Sequence, residues 1–230
     1  MFKIKNKSLI FFSLLMTIVP SLIFSVKAIE FPDAPKREPP QSTAAGGRRG
    51  GCVRGIIPIT PLTPSKDNSF KTVSPQPQFF VYIPPSKAKF VQFILKDETG
   101  NEINNQEIPI TQDDAIISIN MGKKTNLEIG KKYSWEISLI CSPMVVNISN
   151  YTKGSIERVT LEENIKQELL ANKDTLKQAQ IYAKNNIWQD TISLVASVQT
   201  LQPQEWQELL TSVGLENLKE KKLISEDIPQ

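Results

Sequence analysis

The sequence predicts an α+β fold: an antiparallel β-sandwich followed by a C-terminal helical hairpin or small helical subdomain. Three observations carry that prediction. Between Phe79 and Leu161 the chain runs in short segments rich in aromatic and β-branched residues, separated by turn formers. The clearest segment is "KKYSWEISLIC" at 131–141. It sets Tyr133, Trp135, Ile137, Leu139 and Cys141 on one face and Lys132, Ser134, Glu136 and Ser138 on the other, with Ile140 the exception. After Leu161 the composition turns to Ala, Leu, Gln, Lys and Glu, with apolar residues at helical spacing. A chain of 230 residues suits one domain or two small ones.

The N-terminus is read separately from the fold. Lys3, Lys5 and Lys7 precede the apolar run "SLIFFSLLMTIVPSLIFSV" at 8–26, and Val26 and Ala28 stand as the −3 and −1 residues of a signal-peptidase site. Residues 1–28 are therefore predicted to be a signal peptide cleaved after Ala28. Pro20 and the Val-Lys-Ala end favour cleavage; the alternative is an N-terminal membrane anchor, because the run is just long enough to cross a bilayer. The expected localisation is extracytoplasmic, periplasmic or secreted, with no membrane span after cleavage. Removing residues 1–28 also changes the charge. The whole chain has 27 Lys+Arg against 24 Asp+Glu, and loss of Lys3, Lys5, Lys7 and Lys27 leaves 23 against 24, a net of −1. So nearly neutral a chain lacks the field that attracts nucleic acid, and no nucleic-acid partner is expected.

Residues 29–78 read as a Pro/Gly-rich leader, since 11 of the 16 prolines fall between 29 and 85. Within it "GGRRGGCVRG" leads into one of only two cysteines. In an oxidising compartment Cys52 and Cys141 are expected to form a disulfide closing a loop of about 90 residues; two free thiols or a link between chains are the alternatives. The Arg-Gly run occurs once, in a near-neutral chain, and prolines follow it rather than a helix. It therefore fits neither a nucleic-acid-binding repeat nor a phosphate loop. Its glycines are expected to let the backbone approach the sheet around Cys52. Arg48, Arg49 and Arg54 are the candidate binding residues, for an anionic glycan or a partner's carboxylates.

The sandwich is assigned to residues 79–161. "FFVYIP" and "KFVQFILKD" are strands, "DETGNE" at 97–102 is a hairpin turn, "AIISIN" at 115–120 and 131–141 are further strands, and "SIERVTL" at 155–161 is the last. "LEIGKKYSW" at 127–135 resembles the tyrosine corner of immunoglobulin-like and fibronectin type III sandwiches, where a tyrosine hydroxyl ties the corner to backbone. An ordinary buried tyrosine is the alternative. Residues 162–230 form the helical region. "ENIKQELLAN" and "DTLKQAQIYAKNN" are helices, the second with Asp174 as N-cap. "IWQDTISLVASVQTL" sets Trp188, Ile192, Val195 and Val198 on one stripe, and "PQEWQELLTSVGL" opens on Pro203 and stops at Gly214. One helical pair has tetratricopeptide-like spacing, with no tandem period, so a plain hairpin packed on the sheet is preferred. The tail "EKKLISED" looks imperfectly like the myc epitope and is taken as native.

The chemistry is bounded by what is missing. With no histidine, Ser-His-Asp and Cys-His mechanisms and the usual zinc sites are excluded. No phosphate-loop, dinucleotide or calcium-loop motif occurs. The acidic doublets Asp97-Glu98 and Asp113-Asp114 read as solvated loop charges, since adjacent strand residues point to opposite faces. No catalytic residue, metal or cofactor is assigned.

The ordered set "GGRRGGC", "PLTP", "FFVYIPP", "FILKDETGN", "LEIGKKYSWEISLIC", "GSIERV", "IWQDTI" and "WQELLTSVGL" resembles the cyanobacterial DUF928 family over roughly Gly46–Leu218. One departure is Ser155, at a position where the family carries an aromatic residue. The resemblance implies an exported cyanobacterial protein of unknown function and brings no catalytic residues. The expected function is a non-enzymatic interaction module of the cell envelope that binds an envelope protein or a cell-surface glycan. Its candidate contacts are the leader arginines and the helices around Trp188 and Trp206, both of which alternatively pack in the core. The competing expectation is a carboxylate-based hydrolase of envelope polysaccharide, which needs an acid pair in a cleft.

Overall fold

The computed structural model describes residues 28–32, 52–122, 124–141 and 150–225. Its strands are β1 (Thr60–Pro61), β2 (Ser69–Thr72), β3 (Gln78–Ile83), β4 (Phe90–Lys96), β5 (Glu102–Pro109), β6 (Ala115–Asn120), β7 (Lys132–Ile140), β8 (Tyr151–Arg158) and β9 (Leu223–Ser225). Four helices precede β9: α1 (Glu163–Ala171), α2 (Thr175–Lys184), α3 (Trp188–Val198) and α4 (Pro203–Ser212). One sheet has the order β1-β3-β6-β9 and the other β2-β8-β7-β4-β5.

The two sheets share a core. Phe79 of β3 meets Phe93 of β4 at a ring distance of 4.8 Å and Trp135 of β7 at 6.1 Å. The helices form a third layer on the far side of the four-stranded sheet. Phe80, next to Phe79 and so on the opposite face, meets Trp206 of α4 at 6.3 Å. The Trp188 indole donates to the Leu62 carbonyl (2.8 Å), and the Gln189 amide donates to the Gln78 carbonyl. This layering explains the sequence patterns. β3 and β6 are almost continuously apolar because both their faces are covered. β4 and β7 alternate because their second face meets water.

An antiparallel sandwich was expected; both sheets are mixed. β2 runs parallel to β8, and β9 parallel to β6. Each parallel strand is an edge strand delivered by a long connection, as parallel pairing requires. The chain crosses from β1 at one sheet's edge to β2 at the edge of the other, so the stretch read as leader contributes two strands. Its prolines are tolerated because β1 is an edge strand of two residues. The C-terminal region likewise adds to a sheet: "LIS" within the myc-like tail is β9.

The local signals explain most boundaries. The Asp97 carboxylate closes the β4–β5 turn by accepting from the Thr99 hydroxyl (2.7 Å) and the backbone N–H groups of Thr99 and Asn101 (both 2.9 Å). These bonds, the Thr99 hydroxyl first, hold its carboxyl down at about 2. Asp174 caps α2 by accepting from the Lys177 N–H (2.9 Å). Pro203 opens α4, and Gly214, at φ 74°, ends it. The Tyr133 hydroxyl accepts from the Glu128 N–H (2.9 Å), the bond expected of a tyrosine corner. Half-buried Asp190 of α3 accepts from the Thr72 hydroxyl (2.8 Å) and the Val73 N–H (3.0 Å) and so staples the helical layer to the end of β2. Burial raises its carboxyl above the usual range, against the pull of those two donors.

Candidate functional site

Because the helices cover one sheet, the outer face of the five-stranded sheet is left to solvent. Register fixes what it displays. Lys71, Glu157 and Lys132 form one row across β2, β8 and β7; Lys153 of β8 opposes Glu136 of β7 in another. Lys96 and Glu102, on β4 and β5, form an ion pair at 3.6 Å. Cations thus lie opposite anions across the strands, an arrangement that leaves little net field. Between these rows lie hydrogen-bonding side chains: the Ser69 and Ser155 hydroxyls 2.7 Å apart, and the Gln92 amide donating to the Asn105 carbonyl oxygen at 3.3 Å.

One end of the face differs. Phe90 of β4 pairs with Ile140 of β7, and Tyr151 of β8 with Ser138, two residues back along β7. Phe90 is 40% exposed and Tyr151 39%. Strand spacing puts their Cα atoms about 12 Å apart, on either side of β7. The opposite corner, at the β2 edge, holds a cavity of about 260 Å³. Phe31, Trp188 and Phe70 form its apolar side, and Lys71, Lys132, Ser155 and Glu157 its polar side. Glu157 is the one carboxylate in its lining, and Ser155 opens onto it.

The residues singled out from sequence fall in several places. Cys52 and Cys141 are joined, with Cα atoms 5.9 Å apart, at the Phe90 end of the sheet just beyond β7. Beside them Gly55 packs so closely that a Cβ would come within 2.8 Å of Pro85 Cδ, just past the end of β3; the other glycines of the Arg-Gly run lie outside the described residues. Arg48 and Arg49 lie outside the described residues. Arg54 is exposed and is not in the lining of the cavity. Trp188 and Trp206 are fully buried and anchor the helices. The acidic doublets do more than face solvent. Asp113 accepts from the Ser86 N–H (2.8 Å), and Glu98 from the Lys132 N–H (3.2 Å). Asp114 accepts from the Tyr82 hydroxyl and pairs with Lys221, both at 2.6 Å. The Lys221 and Tyr82 bonds hold the Asp114 carboxyl below its ordinary range. Among the described residues, no group of three or more Cys, Asp or Glu side chains gathers to hold a metal ion.

Residues 44–223 match the profile of a family described as Domain of Unknown Function (DUF928). The chain belongs to the DUF928 family. No curated protein matches it. The DUF928 segment takes in the disulfide, both sheets up to the first residue of β9 and all four helices, so the open sheet face lies within it. Residues 28–32 lie outside it, yet they pack on its helices: Phe31 meets Trp188 edge-on at 5.1 Å. Sequence reading missed Phe90 and Tyr151. The available signal was Phe90 and Ile94 sharing the solvated face of an alternating strand, and Ile140 breaking the polar side of another.

Proposed function

We propose that this DUF928 protein is an exported, non-enzymatic binding module of the cyanobacterial cell envelope, and that it binds polysaccharide on the outer face of its five-stranded sheet. The observation that carries the reading is the pairing of two exposed aromatic side chains, Phe90 and Tyr151, with a sheet face that is otherwise charge-balanced and rich in hydroxyl and amide groups. Sugar rings stack their apolar faces on aromatic rings and offer hydroxyls to amides and serines. A face with paired charges suits a neutral polymer better than a strongly charged one.

Export is supported by the Cys52–Cys141 disulfide, since such bonds persist in oxidising compartments. No helix among the described residues is long and apolar enough to cross a membrane. The immunoglobulin-like reading of the sandwich is supported by the tyrosine-corner bond and by the strand order. Setting aside the two parallel edge strands leaves β1-β3-β6 against β8-β7-β4-β5, a three-plus-four arrangement of the fibronectin type III kind. The cavity that adjoins this face presents Glu157 alone, whereas glycoside hydrolysis uses two carboxylates, so the face is read as a binding surface; Glu30 and Glu208 line a separate cavity beside α4.

The test is retention of the mature protein on insoluble envelope polysaccharide, alongside a cross-linked pull-down from the same envelope fraction. The reading expects retention that falls at least about tenfold in Phe90→Ala and Tyr151→Ala, a loss of the size that one aromatic contact supplies. Full retention by both variants would remove this face from the binding site. A stoichiometric protein partner in the pull-down, with no polysaccharide retention, would replace the glycan with an envelope protein.

A further inference from the structure

The segment preceding the DUF928 unit ends in a buried polar contact. Ile29 is 1% exposed, and its backbone N–H donates to Glu205 Oε2 (3.3 Å) inside the protein. Glu205, in the first turn of α4, is itself only 8% exposed. Two residues on, the Phe31 N–H donates to Ser212 Oγ (3.1 Å), so residues 29–31 are strapped along α4. A neutral peptide N–H is a weak partner for a buried carboxylate, because an ion withdrawn from water normally requires a full counter-charge. Among the described residues, no ion pair to Glu205 is formed.

The signal-peptidase pattern places its cut at the peptide bond that includes this nitrogen: Val26 and Ala28 precede it, and Ile29 follows. Hydrolysis of the Ala28–Ile29 bond takes up one water, leaves Ala28 as a carboxylate, and turns the Ile29 nitrogen into an α-ammonium. We infer that Glu205 is the buried counter-ion for this new N-terminus, so that removal of residues 1–28 by signal peptidase completes an Ile29–Glu205 ion pair and locks the N-terminal strap onto the helical layer. The contact changes from a neutral hydrogen bond to a charge-assisted one, the stronger class. Half-buried Ala28 leaves as the last residue of the signal peptide. Processing and packing are thereby coupled: the uncut chain holds Glu205 with an amide, the cut chain with a cation. The inference rests on the export reading above and is independent of the ligand proposed for the sheet face.

Two measurements test it. The first is the intact mass of the exported protein, expected to correspond to a chain beginning at Ile29; a chain beginning elsewhere would overturn both the cleavage reading and the ion pair. The second is a thermal melting cycle. Chains are released from a cleavable fusion so that they begin either at Ile29 or with a short Gly-Ser-Ala extension before it. Each form is made with Glu205 and with Glu205→Gln. The extension is expected to lower Tm by about 5 °C in the Glu205 chain, the size of a buried ion pair in a chain this long, and by less than about 1 °C in the Glu205→Gln chain. An equal effect of the extension in both backgrounds would overturn the counter-ion role while leaving export intact. The extended Glu205→Gln chain, which lacks both charges, keeps the cycle informative if the Ile29-first variant folds poorly.

Discussion

In the four-stranded sheet β3 and β6 are covered twice: Phe79 and Ile119 face the other sheet, while Phe80 and Ile116 lie under the helices. In the five-stranded sheet β4 and β7 bury only every second residue and leave the alternate positions to water. The difference teaches where stability and function divide. A doubly covered sheet has no surface to offer a ligand, and its substitutions act on the core. A singly covered sheet can change half of its residues with little cost to folding. The disulfide and Asp190 tie the two regimes together, one at each end of the open sheet.

Substitutions can break this division or sharpen it. The largest loss is expected from Cys52→Ala with Cys141→Ala. Opening a loop of 89 residues should cost about 4–5 kcal/mol, read as a lowered urea midpoint relative to the oxidised wild type. Trp206→Ala should cost about 3–5 kcal/mol because it empties the contact between α4 and β3. Phe90→Ala, on the open face, should stay within about 1 kcal/mol in the same denaturation assay. Comparable losses from the two would contradict the division. Gly154→Ala probes the inner side of β8, where a Cβ would collide with the Trp135 ring and the Asn68 backbone; about 1–3 kcal/mol is expected.

The most diagnostic change is at Asp190. Asp190→Ala leaves two donors without an acceptor and should cost about 2 kcal/mol, whereas Asp190→Asn keeps an acceptor and should cost less. The sign of the pH effect follows from burial. The Asp190 carboxyl is raised in the folded state, so its contribution is complete below the ordinary value of 3.8 and is eroded as pH rises through the folded value. The margin of wild type over Asp190→Asn should therefore widen on acidification, in melts run between neutral pH and about pH 4.

Much of this division was legible in the sequence. Strict alternation in 131–141 announced a half-solvated strand, and the unbroken apolar runs "FFVYI" and "AIISI" carried the complementary message that both faces are covered. The helix caps at Asp174 and Pro203 and the stop at Gly214 were readable because each depends on residues a few positions apart, as does the Tyr133–Glu128 hydrogen bond. β5 was not: "EINNQEIP" is polar on most positions and is a strand because β4 offers it a free edge. β2 and β9 were hidden for the same reason, as short edge strands whose partners are remote in the chain. The candidate site was the least legible part. Phe90 and Tyr151 share a platform only through the registers of β4 and β8 with β7, and register is a property of pairs of strands. The tryptophans drew attention by residue type, yet they fill the core.

The two parallel edge strands also set the order in which the molecule can assemble. Ser69 reaches Ser155 across 86 positions of chain, and Lys221 reaches Asp114 across 107. β9 can dock on β6 only after all four helices have emerged, so the four-stranded sheet is complete only when nearly the whole described chain is available, whereas the five-stranded sheet closes once β8 is made. Such long-range closure slows folding, because chain entropy is spent before the contacts that repay it exist.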